Sequence, residues 1–174
     1  AFGVPYAAER VQTTQGAVPA WVVPGGSGER WAVLVHGRAS VRQETLRAVP
    51  AFHAAGYTVL LPAYRGDGEA PPGDDDAARY AVADAEWVDV ESAILHALDG
   101  GAKEVVLAGW SSGASIALTT AQRSRVRSVV TGLVLDSPVL DGTRTLLARG
   151  GAVPEPVRRG ALSLLTSRVG GLLG

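Results

Sequence analysis

Apolar positions along this chain of 174 residues fall into two patterns. Short, nearly unbroken apolar runs alternate with longer stretches at helical spacing. The runs are Trp31-Ala32-Val33-Leu34-Val35, Tyr57 to Leu61, Glu104 to Ala108, and Gly132 to Leu135 followed by Asp136. A run with no polar alternation predicts a strand buried on both faces. Arg42 to about Ala55 predicts a helix stopped at Gly56, with Pro50 implying a kink or a late start. Ala83 to Leu98 predicts a second helix, because Trp87, Val90, Ile94 and Leu98 share one face. A third runs from the residues after Ser111 to about Gln122. Near the N-terminus, Gln12-Thr13-Thr14 and Ala20-Trp21-Val22-Val23 flank a turn near Gln15-Gly16, which predicts a β-hairpin within residues 9–23. After Pro138 the signal weakens, and Thr143 to Arg149 and Glu155 to Val169 are expected to be helical.

Buried strands alternating with helices imply βα units and a mainly parallel sheet. The expected fold is therefore α/β, with an N-terminal antiparallel hairpin. No internal repeat or linker divides the sequence, so residues 1–174 are read as one domain.

Val105 to Leu118 carries the main chemical signal. An apolar strand runs into Gly109-Trp110-Ser111-Ser112-Gly113 and then into a helix. A G-x-S-x-G turn in that context reads as a nucleophile elbow, with Ser111 as candidate nucleophile. The flanking glycines let strand and helix approach closely. Two more strands end in loops on the same carboxyl edge, where open α/β sheets place their sites. These loops are His36-Gly37-Arg38-Ala39 and Tyr64-Arg65-Gly66-Asp67-Gly68.

Taken together, the H-G loop, the Y-R-G-x-G loop and the G-W-S-x-G elbow resemble the α/β-hydrolase family, over about residues 11–140. Glu86-Trp87-x-Asp89-Val90 ahead of the elbow is similar to bacterial members of that group. The resemblance implies a serine hydrolase acting on esters or related acyl compounds. Ser111 would attack the acyl carbon, and the backbone N–H groups of Ser112 and Arg38 would form the oxyanion hole. His36, Gly37, Tyr64, Arg65, Gly66, Gly109, Trp110 and Gly113 would support the loops. His36 would order the oxyanion loop rather than act as the base, and Arg65 would pin its loop by pairing with a carboxylate. Small-molecule acyl compounds are the implied substrates, with no cofactor and no metal.

The chain departs from the family after the elbow. The family's order is Ser, Asp/Glu, His, yet His36, His53 and His96 all precede Ser111. A serine hydroxyl without an adjacent base is a poor nucleophile. The expectation is a portion of a longer hydrolase whose catalytic Asp and His lie elsewhere, inactive by itself. The alternatives are a natural short form without activity, serving as a binding or assembly module, and a base supplied by a second chain. An acyltransferase, peptidase or thioesterase would use the same Ser111 chemistry. Asp136 stands where some hydrolases place their acid, but capping the next turn is the plainer role. Asp67 and Glu69 read as surface loop groups, Asp74-Asp75-Asp76 as a solvated run, and His53 and His96 as structural helix residues. Trp110 reads as packing beneath the elbow.

Composition narrows the classes. The chain is 47% hydrophobic with a formal net charge of −1, an ordinary globular balance that excludes disorder and gives no basic patch for nucleic acid. It has no cysteine, hence no disulfide or thiolate chemistry. No apolar run approaches the roughly 20 residues that span a bilayer. Acidic groups crowd residues 65–91 and arginines residues 122–168, both read as solvated faces. The chain starts at Ala1 and contains no methionine. A missing N-terminal piece is therefore expected, which leaves the compartment open. Stopping after a fourth parallel strand is expected to leave Gly132–Asp136 as an exposed edge, covered by a C-terminal fragment or a second copy.

Overall fold

The computed structural model describes residues 3–38, 40–70 and 83–140. Strands β1 (Ala7–Thr13) and β2 (Gly16–Val23) form the N-terminal hairpin, turning at Thr14-Gln15. Strand β3 (Arg30–Val35) leads through a 3-10 turn (Arg42–Ala48) into helix α1 (Val49–Ala54) and strand β4 (Thr58–Pro62). Helix α2 (Trp87–Asp99), strand β5 (Glu104–Trp110), helix α3 (Ser112–Arg123) and strand β6 (Val130–Asp136) follow.

The six strands form one sheet in the order β1-β2-β4-β3-β5-β6. The hairpin pairs antiparallel to β4, while β4, β3, β5 and β6 run parallel. Strand β3 carries side chains into both faces, as its unbroken apolar run requires. Trp31, Val33 and Val35 join Leu60, Leu107, Val90, Ile94 and Ile116 in one core layer. Ala32 and Leu34 join Val59, Leu61, Val49 and Ala108 in the other. Helices α2 and α3 cover the first layer; the 3-10 turn and α1 cover the second.

Three expectations needed adjusting. The segment from Arg42 starts as a 3-10 turn, and the α-helix begins only around Pro50, which sits in its first turn. Proline lacks the amide a helix interior needs but fits the first turn, so the late start is the form realised. Helix α2 begins at Trp87 rather than Ala83; its inward stripe is the expected one, with Val90 and Ile94 buried and Trp87 and Leu98 partly so. Strand β6 is not buried: Leu133 and Val134 are 39% and 50% exposed. It is the outer strand among the described residues and pairs with β5 alone. The helices expected over Thr143–Arg149 and Glu155–Val169, the Asp74–Asp76 run and Ala39 lie outside the described residues.

Candidate active site

The strand order fixes where chemistry can gather. From β3 the chain crosses one way, to β4; from β5 it crosses the other way, to β6. The loops after β3 and β5 therefore part at the carboxyl edge and leave a crevice between adjacent strands. His36-Gly37-Arg38 and Ser111 flank that crevice.

Ser111 sits between β5 and α3 with φ +54° and ψ −121°. A non-glycine residue rarely adopts this backbone, and it persists only where surrounding contacts impose it. The Ser111 N–H donates to the Asp136 carbonyl (2.8 Å), and the Ser111 carbonyl accepts from Ala114 N–H (3.1 Å). The glycines on either side are a steric requirement. A Cβ on Gly109 would lie 2.4 Å from the Gly113 carbonyl oxygen, and one on Gly113 would lie 2.2 Å from that of His36. The helix α3, the turn at Ser111 and the loop after β3 thus touch backbone to backbone. The approach of Gly37 is similar: a Cβ there would come within 3.2 Å of the Trp110 carbonyl and 3.5 Å of the Ser111 Cβ.

The loop after β3 is held from behind. The His36 side chain is fully buried; its Nε2 lies 3.2 Å from Asp67 Oδ2 and its Nδ1 2.9 Å from the Gly37 carbonyl. Tyr64 stacks on the imidazole at 4.3 Å between ring centres and donates its hydroxyl to the His36 carbonyl (2.8 Å). Burial, reinforced by the negative charges of Asp67 and Glu86, pushes the Tyr64 phenol far up and keeps it a neutral donor. The Arg38 N–H donates to Ser112 Oγ at 2.6 Å, and the Arg38 guanidinium lies 3.8 Å from Glu86.

The loop after β4 is anchored at three points. Arg65 forms a fork on Asp89, Nε to Oδ2 at 2.8 Å and Nη2 to Oδ1 at 2.7 Å, and its backbone N–H also reaches Oδ2. Its Nη2 donates to Thr14 in the hairpin turn as well. Asp67 accepts the N–H groups of Tyr64, Glu69 and Ala70. Burial raises the Asp67 carboxyl's pKa, but the His36 bond and these three amides outweigh it, and the net value lies below the ordinary 3.8. Glu69 pairs with Arg42 at 2.7 Å, and Arg42 lies over the Trp21 ring.

Asp67 is therefore not a surface group, whereas Glu69 keeps a partly exposed side chain, 26% open, beside Arg42. The Asp67 side chain is 1% exposed, because a carboxylate between two glycines can turn inward and satisfy the tight loop's own amides. The Asp-between-glycines spacing was the available signal. Arg65 has its expected carboxylate partner, and that partner is Asp89. Trp110 is half-buried against the second core layer, with Arg47 over its ring. Ser115 donates to the Val139 carbonyl. Asp136 accepts the Ser137 hydroxyl on its carboxylate.

All three histidines are engaged away from Ser111: His36 as above, His53 with the Pro24 carbonyl and His96 with Glu9. Among the described residues no side chain hydrogen-bonds Ser111 Oγ, and no group of three His, Asp or Glu is placed to hold a metal. No helix among them is long and apolar enough to cross a membrane. A cleft of about 470 Å³ lined by Glu9, Trp31, Thr58 and His96 opens at the amino edge of the sheet, away from the elbow.

A profile described as the alpha/beta hydrolase family matches residues 32–173. A search of curated proteins gives no significant match. Among solved structures, an esterase of Pyrococcus furiosus superposes with a TM-score of 0.71 at 22% identity, covering 92% of this chain and 60% of that one. A predicted CIB-like hydrolase from Thermoplasma acidophilum gives 0.60 at 19% identity, over 83% and 70%. An epoxide hydrolase from an endophytic Streptomyces gives 0.57 at 27% identity, over 74% and 36%. The chain thus spans 60% of the length of the Pyrococcus esterase.

Proposed function

The chain belongs to the α/β-hydrolase family, and on that premise we propose that it carries the nucleophile half of a serine hydrolase acting on esters or related acyl compounds. The observation that carries this reading is the strained Ser111 at the β5–α3 turn, beside the amides of Ser112 and Arg38. Ser111 Oγ adds to the acyl carbon, and the carbonyl oxygen becomes an oxyanion. The Ser112 N–H at the head of α3 is an oxyanion-hole group, and the loop amide of Arg38, hydrogen-bonded to Ser112 Oγ, borders the hole from the other side. Such donors act on charge that develops only in the transition state, so they lower the barrier rather than merely bind substrate. The leaving alcohol departs, and water then releases the acyl group from Ser111. His36, Tyr64, Arg65 and Gly66 keep the two facing loops in register.

The base that activates Ser111 and the acid that orients that base are assigned to residues other than the three histidines, because those are committed elsewhere. That same observation favours the second reading, a binding or assembly module that retains the elbow for packing. A fluorophosphonate probe with intact-mass detection separates the two. An adduct on Ser111, absent in Ser111→Ala, supports the hydrolase. No adduct on the protein as its gene encodes it supports the module. If the probe labels Ser111, turnover of ester, amide and thioester donors tells an esterase from a peptidase or thioesterase, and added alcohol, amine or thiol acceptors reveal an acyltransferase.

A further inference from the structure

We propose that the Ser112 side-chain hydroxyl is a direct oxyanion donor, polarised from behind by the Arg38 amide. The proposal rests on the reading of Ser111 as an acyl nucleophile and refines the hole that serves it.

Three observations point to it. First, a serine on a helix ordinarily bonds nearby backbone groups of its own segment. Ser112 opens α3, yet its Oγ reaches across the crevice and accepts the Arg38 N–H at 2.6 Å. Second, the Arg38 N–H is thereby taken: the hydrogen that would face a substrate oxygen is aimed at Ser112 Oγ. Third, a hydroxyl has one proton of its own to donate, and among the described residues the Ser112 proton has no acceptor. Ser112 is only 5% exposed, and a buried donor without a partner is costly unless something arrives to take it. The oxygen of a carbonyl attacked by Ser111, the neighbouring residue, is such an acceptor.

The chain of donors then runs from Arg38 N–H to the Ser112 hydroxyl to the oxyanion. Hydrogen bonds in series polarise one another, so the hydroxyl donates more strongly than it would alone. The Ser112 N–H supplies the second direct bond. No proton is transferred: the hydroxyl donates a hydrogen bond as charge builds on the substrate oxygen and releases it when the tetrahedral species collapses. Arg38 acts as a positioning residue through its backbone, which explains why the loop behind it is so heavily tied to His36, Tyr64 and Glu86.

Removing the hydroxyl distinguishes this arrangement from a simple plug. If Ser112 Oγ only satisfies the Arg38 amide while the crevice is empty, Ser112→Ala frees that amide for substrate and the rate holds or rises. If the hydroxyl is the donor, Ser112→Ala slows fluorophosphonate labelling of Ser111, and lowers kcat on a model ester with KM little changed, by about 10²-fold, the usual effect of deleting one oxyanion donor. Ser112→Cys, which keeps the shape but donates weakly, falls between, and it carries the comparison should the alanine variant fold poorly. Ser115→Ala, one turn along α3, labels at the wild-type rate. Wild-type labelling kinetics in both Ser112 variants overturn the proposal while leaving Ser111 as nucleophile. A wild-type protein that takes no probe at Ser111 overturns both.

Discussion

Replacing Ser111 with glycine is expected to stabilise the fold while removing the proposed nucleophile. The φ of +54° with ψ −121° lies where side chains are disfavoured and glycine is not. Strain of this kind costs about 1–3 kcal/mol. The comparison to make is Ser111→Gly against Ser111→Ala, because both delete the hydroxyl and only glycine relieves the backbone. No side chain among the described residues bonds Ser111 Oγ, so its loss from either variant costs little. Against the relief stands the greater freedom of glycine in the unfolded chain, about 0.4–1 kcal/mol. The difference favours glycine by about 1 kcal/mol. For a chain of this length that corresponds to a melting temperature roughly 2–4 °C higher. Thermal unfolding followed by circular dichroism, with denaturant midpoints as a second measure, reads the difference. A glycine variant that melts at or below the alanine variant would refute the reasoning, since the elbow would then hold no strain to release.

Three further outcomes are expected. Asp89→Ala removes the carboxylate fork on the Arg65 guanidinium, 14% exposed, and should cost about 1.5–3 kcal/mol in denaturant unfolding, the usual size for hydrogen bonds to a charged group; a loss under about 1 kcal/mol would show the pair is dispensable. Asp67 has its pKa depressed in the fold, so its contribution is full above the ordinary value of 3.8 and lost as pH falls through the lower folded value; the stability gap between wild type and Asp67→Asn should therefore close toward low pH, and a gap independent of pH contradicts the assignment. The 174-residue chain should self-associate through β6, whose Leu133 and Val134 are open on the two sheet faces, and Val134→Lys should reduce that association in light scattering; a dilute monomer that stays monomeric when concentrated goes against it.

The sequence by itself determined the parts whose signal is local. Five consecutive apolar residues at Trp31–Val35, bounded by glycine-rich turns, read as a strand covered on both sides, and so it is. The turn near Gln15-Gly16, found at Thr14-Gln15, the inward stripe of α2 and the strand–glycine–serine–glycine–helix order around Ser111 were legible for the same reason. Each depends on chirality, side-chain periodicity or the absence of a Cβ, all properties of neighbours in the chain.

Tertiary structure decided what depends on distant partners. The glycines beside Asp67 allow it to turn onto its own loop's amides, but its pairing with His36, 31 residues away, is not a local property. The choice of Asp89 for Arg65 needed the placement of α2 against the hairpin and the loop after β4. Strand β6 reads as apolar as its neighbours, yet its exposure depends on whether another strand lies beside it. Above all, the bond from Arg38 to Ser112 joins residues 74 apart in the chain. It forms only because β3 and β5 are adjacent and their connections diverge, which brings two unrelated loops to one crevice.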